Sequence, residues 1–375
     1  MKKVRVLVVD DSVVIRRMLT EILSGDPAIE VVGTASNGRL AIARLTQLQP
    51  DVVVMDVEMP EMTGLEALPH IRKSHPRLPV IMFSTLTTRG GAATLDALAL
   101  GATDYVAKPA NLGSVQASIE AIRSQLVPRV KTFGGVPDPL HAPSRPLRSS
   151  PANAARPQTT APPRPRVASA RVDVVAIGVS TGGPKALAEV LPALPASLPV
   201  PVVVVQHMPP IFTKLLADRL DKSCAVHVRE AEAGDVLEAG TVYVAPGDFH
   251  MVVTGNAGVA KLALNQEPPE NSCRPAVDVL FRSCAAVYGD HVLVAVLTGM
   301  GQDGFRGAEV VRDAGGHVLA QDEATSVVWG MPGFVARAGL ADRVVALDRV
   351  APEIVDRVTR GRVPSSSIQY SKAAR

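Results

Sequence analysis

Aromatic residues are scarce in this chain. Seven Phe, four Tyr and one Trp make up 3% of 375 residues, too few stacking side chains for a single-stranded nucleic-acid surface. Cysteine is nearly absent: Cys224, Cys273 and Cys284 make no C-x-x-C spacing. That excludes a disulfide framework and leaves free, buried thiols in a reducing compartment as the expectation. No apolar run approaches the length of a bilayer span. Lys2 and Lys3 lead directly into a strand pattern ending at Asp10 and Asp11, without a signal-peptide core. A cytoplasmic protein with no direct membrane insertion is expected. A dominant charge is also lacking: 39 Lys and Arg oppose 36 Asp and Glu, a net +3. Much of the basic excess lies among the arginines of 129–171, a segment and not a face, which argues against nucleic acid as a partner.

What is present is an α/β composition, 47% hydrophobic and 20% charged, in a chain too long for one ordinary core. Through residues 1–126, apolar runs at 4–9, 30–34, 52–55, 80–83 and 105–107 alternate with helical patterns at 13–23, 39–48, 64–74, 89–100 and 114–126. Five βα units in succession predict a parallel sheet covered on both faces, with right-handed crossovers. Residues 127–171, rich in Pro, Ala, Ser and Arg, bury too little to offset ordering entropy and read as a flexible linker. Apolar runs return at 174–177, 202–206, 226–229, 241–245, 250–253, 292–297 and 317–320. Helical patterns follow at 186–194, 210–222, 277–288, 304–314 and 332–338. Turn signals at Ala245-Pro246-Gly247-Asp248 and Thr254-Gly255-Asn256-Ala257-Gly258 predict antiparallel hairpins over 240–264. The second domain, 172–363, is therefore expected to have a mainly parallel sheet with some antiparallel strands. Residues 364–375 read as a disordered tail.

The carboxyl ends of parallel strands line one crevice of an open α/β sheet. Asp10 and Asp11, Asp56, Ser84 and Lys108 each stand at or beside such an end. Each alone is an ordinary cap or turn residue; their joint placement is not. Three carboxylates without His or Cys form a hard-oxygen site suited to Mg²⁺. Lys108 can neutralise a phosphoryl oxygen and Ser84 can donate to another. With Asp10-Asp11-Ser12, Met55-Asp56-Val57-Glu58-Met59-Pro60 and Ala107-Lys108-Pro109, this half closely resembles a response-regulator receiver domain. The resemblance implies a flavodoxin-like fold of strand order 2-1-3-4-5 and phosphorylation at Asp56 by a sensor histidine kinase. It further implies Mg²⁺ held by Asp10, Asp11, Asp56 and the Glu58 carbonyl, a phosphoryl group bound by Ser84 and Lys108, and a switch aromatic at Tyr105.

In the second half, the run 174–179 stops at Ser180-Thr181-Gly182-Gly183-Pro184 before a helical pattern. Such a turn suits either a serine nucleophile or a phosphate cradle at a helix N-terminus. A nucleophile needs a base and an orienting acid. His207 ends a run of the same design at 202–206, and Asp303 follows a third at 293–297. The order Ser, His, Asp does not match an α/β-hydrolase. The dinucleotide fingerprint lacks its middle glycine, and Gln206-His207 stand where its acid belongs.

Together with Glu270-Asn271-Ser272-Cys273-Arg274-Pro275-Ala276-Val277-Asp278 and Thr298–Gly304, these segments resemble the catalytic domain of the chemotaxis protein-glutamate methylesterases. The resemblance implies a hydrolase that cleaves glutamyl methyl esters and deamidates glutamines on chemoreceptor cytoplasmic helices. Ser180 would be nucleophile, His207 base and Asp303 orienting acid. Thr181 and Met300 would lie beside the reacting centre, the Met300 N–H as oxyanion donor, with Arg274 nearby; no cofactor is implied for hydrolysis. An unphosphorylated receiver would cover the site. The competing reading is a non-enzymatic response regulator with a protein- or DNA-binding output domain; no helix-turn-helix with a basic face supports the DNA version.

Overall fold

The computed structural model describes residues 3–108, 114–136 and 171–360. Short polar residues at the strand-to-helix turns set the first unit's rhythm. Ser12, Asn37, Thr63, Thr87 and Ser114 each accept a backbone N–H at a helix start, satisfying donors that the first helical turn leaves orphaned. The elements are β1 (Val4–Val9), α1 (Val13–Ser24), β2 (Ile29–Ala35), α2 (Gly38–Leu48), β3 (Val52–Asp56), α3 (Gly64–Ser74), β4 (Val80–Thr85), α4 (Thr88–Ala99), β5 (Asp104–Lys108) and α5 (Val115–Phe133). Their sheet has the expected order β2-β1-β3-β4-β5 and is parallel throughout. The central strands bury both faces, as their unbroken apolar sequence requires.

One boundary differs. The linker was expected to begin at residue 127, but α5 runs through Phe133. Ile122, Leu126 and Val130 are all buried, so an i, i+4 apolar stripe continues past the expected end and holds the helix on the sheet. The remainder of the expected linker, 137–170, and the tail, 364–375, lie outside the described residues.

The second unit comprises β6 (Val174–Val179), α6 (Gly183–Val190), β7 (Val202–Gln206), α7 (Phe212–Asp221), β8 (His227–Glu230), β9 (Thr241–Val244), β10 (His250–Asn256), β11 (Val259–Asn265), α8 (Val277–Tyr288), β12 (Val292–Val296), α9 (Phe305–Asp313), β13 (His317–Gln321), α10 (Met331–Arg337), β14 (Arg343–Val345) and α11 (Leu347–Thr359). Seven strands form one sheet in the order β14-β13-β12-β6-β7-β9-β8, all parallel. Among the described residues, the antiparallel strand pairing is that of β10 with β11, joined by isolated bridges at Val236–Lys261 and Glu270–Cys273. Of the two expected hairpin turns, only the one at Thr254–Gly258 closes a hairpin; Ala245–Asp248 carries the chain from β9 out to that pair. Turn chemistry fixes a reversal, not the partner strand. Among the described residues, no helix is long and apolar enough to cross a membrane.

The two units are docked. Tyr105 at the end of the first sheet stacks on Phe212 at the start of α7, ring centroids 5.2 Å apart and planes 9° from parallel. Arg219 on α7 donates to Asp96 on α4 at 2.5 Å. Gly91 of α4 lies so close to Leu215 that a Cβ there would come within 2.8 Å of it.

Candidate active site

The first unit gathers its acids as expected. Asp10, Asp11 and Asp56 place ligand oxygens within 4.8 Å of one another. Lys108 Nζ donates to Asp56 Oδ2 at 2.8 Å and to Asp10 Oδ2 at 3.3 Å. This all-oxygen donor set fits Mg²⁺. The Glu58 side chain turns outward to Arg89, 3.0 Å away, so its backbone is what faces the pocket. Ser84 does not reach Asp56: its hydroxyl donates to the Gly90 carbonyl and accepts from Thr94. Tyr105 is likewise engaged elsewhere, on Phe212.

Burial raises the Asp56 carboxyl most; Lys108 lowers it by hydrogen bond and charge, the Asp10 charge raises it, and the balance lies at about 6. The folded metal-free chain therefore holds this proton more tightly than the unfolded chain, whose carboxyl lies near 3.8. Stability from this group falls as pH rises through that window. Added Mg²⁺ should raise the melting temperature strongly at pH 7 and little at pH 4. Equal shifts at both pH values, read by thermal unfolding, would remove the assignment.

In the second unit β12, β6 and β7 are neighbours, so Asp303, Ser180 and His207 meet at one sheet edge. The Ser180 N–H donates to the Thr298 carbonyl. Gly182, at φ +78°, makes the sharp turn into α6 in a left-handed region that glycine enters without strain. Gly299 lies so near that a Cβ on it would stand 2.8 Å from the Ser180 Cβ. Gln206 ties the two turns together through Nε2, which donates to the carbonyls of Ser180 at 3.1 Å and His207 at 3.0 Å.

His207 Nε2 donates to Asp303 Oδ2 at 2.8 Å. Asp303, 2% exposed, also accepts from the N–H groups of Val277, Asp278 and Gly304 and from Asn271 Nδ2. Because a carboxylate only accepts, the Nε2 proton is assigned, and Nδ1 is the basic nitrogen of the neutral ring. Nδ1 faces the Cys273 thiol at 3.6 Å. Among the described residues, Ser180 Oγ makes no hydrogen bond to His207.

Burial alone would lower the His207 pKa. The contacts with Cys273 and Asp303 outweigh it and hold the ring above the usual imidazole value. Burial raises Asp303, but His207 and the backbone donors hold it below the usual carboxylate value. Asp278, sharing Asn271 with Asp303, is pushed up to about 6 by burial and by the Asp303 charge. Cys273, His207 and Asp303 could present three metal ligands within 4.8 Å, yet both Asp303 oxygens are already occupied by donors.

The backbone N–H groups of Thr181 and Met300 have no protein acceptor among the described residues. Arg274 is committed: its guanidinium binds Asp248 at 2.5 Å and the carbonyls of Gln266 and Glu267. An open cavity of about 510 Å³ joins His207, Cys273 and Arg274 to Tyr105, Gln125 and Arg129 of the first unit. Sequence reasoning missed Cys273 beside His207, Asn271 bridging two acids, and Phe212 under Tyr105. The first two stand in the 270–278 motif; Phe212 carried no signal beyond helix periodicity. The thiols were expected to be buried, but only Cys284 is; Cys224 and Cys273 are half-buried.

An acidic pocket closed by Lys108, docked on a Ser, His and Asp sheet edge, defines the chain as a response regulator with a hydrolase output domain. Residues 6–120 match the response regulator receiver domain family and 175–354 the CheB methylesterase family. The chain is 54% identical over 375 residues to the protein-glutamate methylesterase/protein-glutamine glutaminase of Nocardioides sp., covering 98% of this chain and 100% of that one. It is 50% identical over 360 residues to that of Trichodesmium erythraeum, covering 96% and 100%. The crystal structure of the Thermotoga maritima CheB methylesterase catalytic domain is similar over 49% of this chain and 98% of that one, at 43% identity and TM-score 0.49. The chain belongs to the protein-glutamate methylesterase/protein-glutamine glutaminase family.

Proposed function

We propose that the second domain, residues 172–363, hydrolyses glutamyl methyl esters and deamidates glutamines on the cytoplasmic helices of chemoreceptors. The first, beginning at residue 1 and ending with α5, gates it on phosphorylation by a chemotaxis-type sensor histidine kinase in the cytoplasm. The carrying observation is the 2.8 Å His207–Asp303 hydrogen bond between the turns that follow the two strands flanking that of Ser180. Ser180 Oγ attacks the ester carbonyl as His207 accepts its proton, and the Thr181 and Met300 N–H groups receive the oxyanion. His207 returns the proton to departing methanol, or to ammonia from an amide. Water, deprotonated by His207, then cleaves the acyl-enzyme. No cofactor is needed for these steps.

The docked arrangement is a resting one. His207 offers its basic nitrogen to Cys273, and the cavity beside it is walled by the receiver. In the receiver, Asp10, Asp11, Asp56 and the Glu58 carbonyl would hold Mg²⁺, which shields charge during phosphoryl transfer to Asp56. Lys108, now on Asp56, would turn to the phosphoryl group, and the Ser84 hydroxyl would leave Gly90 to join it. Tyr105 would then leave Phe212 and loosen the docked face.

Methanol release from methylated receptor membranes, with and without a small-molecule phosphodonor, tests this reading. Phosphodonor should stimulate wild type and leave Asp56→Asn unchanged. Arg219→Glu, which sets a second acid against Asp96, should raise unphosphorylated activity about fivefold. Adding Asp96→Arg should return it to the resting level. An unphosphorylated Arg219→Glu chain no faster than wild type would count against gating through this face.

A further inference from the structure

The loop before α8 holds Cys273 in place. Asn271 and Ser272 take left-handed φ values of 52° and 61°. Glu270 and Cys273 exchange two backbone hydrogen bonds, and Glu270 accepts both arms of Arg282 at 2.7 and 2.6 Å. The result is a half-buried thiol 3.6 Å from the basic nitrogen of His207, on the wall of an open cavity. The other cysteines differ. Cys284 is fully buried, and burial pushes its thiol up to about 12. Burial also raises Cys224, and neither has an imidazole hydrogen bond among the described residues. Reactive thiols are accessible and stand beside a proton acceptor or a cation, whereas thiols in apolar surroundings are inert.

We propose that Cys273 is an oxidation site for hydrogen peroxide in the hydrolase domain, and that its sulfenic acid shuts the hydrolase down by keeping His207 from Ser180. His207 takes the thiol proton. The sulfur attacks one peroxide oxygen, forming the S–O bond as the O–O bond breaks. The second oxygen leaves as hydroxide and gains the proton from His207 as water, so sulfur is oxidised by two electrons and peroxide reduced. The product, Cys273–SOH, places a stronger hydrogen-bonding group against Nδ1 than the thiol did. A small thiol reverses the change by attacking sulfur with loss of water, and a second releases the mixed disulfide. The shutdown, though not the oxidation, rests on the hydrolase reading above.

The full chain is treated with hydrogen peroxide, trapped with dimedone and mapped by mass spectrometry, with methanol release measured in parallel. Cys273 should be trapped about tenfold faster than Cys224 or Cys284. Fully oxidised protein should lose about a hundredfold in hydrolysis, the contribution of a positioned base, and recover in dithiothreitol. Cys273→Ser should keep its own untreated rate after peroxide. Ser180→Ala should be trapped at Cys273 as fast as wild type, so thiol chemistry is read even where hydrolysis is absent; His207→Ala should be trapped more slowly. Equal trapping at all three cysteines, a Cys273→Ser chain still inactivated, or full trapping at Cys273 with unchanged hydrolysis would each overturn the proposal.

Discussion

Ser180→Ala is expected to lower methyl-ester hydrolysis by about 10⁴-fold or more while leaving the fold and Asp56 phosphorylation intact. The hydroxyl makes no hydrogen bond among the described residues, so its removal leaves no partner stranded. The turn is held by groups that alanine keeps: the Ser180 N–H on Thr298, and its carbonyl accepting from Gly183 and from Gln206. Left-handed Gly182 is untouched. The acidic pocket around Asp56 lies on the other unit and shares no residue with the turn. Methanol release, phosphodonor uptake and thermal unfolding on one preparation read all three claims. Turnover within tenfold of wild type would sink the nucleophile assignment.

The strand-end residues were legible because parallel strands have little freedom. An apolar run buried on both faces must lie inside the sheet, and the polar residue that ends it must emerge at one edge. That logic brought Asp10, Asp56 and Lys108 together, and Ser180, His207 and Asp303. It failed where no period governs the chain. The 270–275 loop is irregular, so nothing in its pattern aimed Cys273 at His207 or spread Asn271 across Asp278 and Asp303. Strand β14, three residues long, carried too weak a signal. Helix α11 was overlooked although Leu347, Val350, Ala351, Ile354 and Val358 are all buried at helical spacing; Pro352 interrupts its hydrogen bonding but not its apolar stripe.

Docking adds a link that periodicity does not carry. Tyr105 on the receiver's edge strand rests on Phe212, the first residue of the helix that follows His207, so the docked face and His207 are separated by one short turn, 208–211. A shift of Tyr105 relieves its stack on Phe212, a contact of about 1 kcal/mol beyond area burial. Loss of one such contact is enough to change a tethered equilibrium several-fold, and the Arg219–Asp96 pair is a second contact across the same face. This is why gating should yield to a charge reversal far from either reacting centre.

Asp303→Asn should damage both activity and fold, unlike Ser180→Ala. The Asp303 carboxylate accepts five hydrogen bonds, from His207, Val277, Asp278, Gly304 and Asn271. An amide has one acceptor oxygen, and its NH₂ would face donors wherever it pointed. At least one buried N–H would lose its acceptor, at a cost of about 1–3 kcal/mol each, and His207 would lose the group that fixes its tautomer. Hydrolysis should fall by about 10⁴-fold and the melting temperature should drop. The pH response should change as well. Because the folded state holds this carboxyl below its unfolded value of 3.8, its stabilisation is present above that value and is lost as pH falls through the folded one. Asp303→Asn has no such proton to bind, so its stability should decline less steeply below pH 4 than that of wild type. Thermal unfolding across pH, beside methanol release, measures both effects. A variant with wild-type stability and activity within tenfold would mean that His207 is oriented by something other than Asp303.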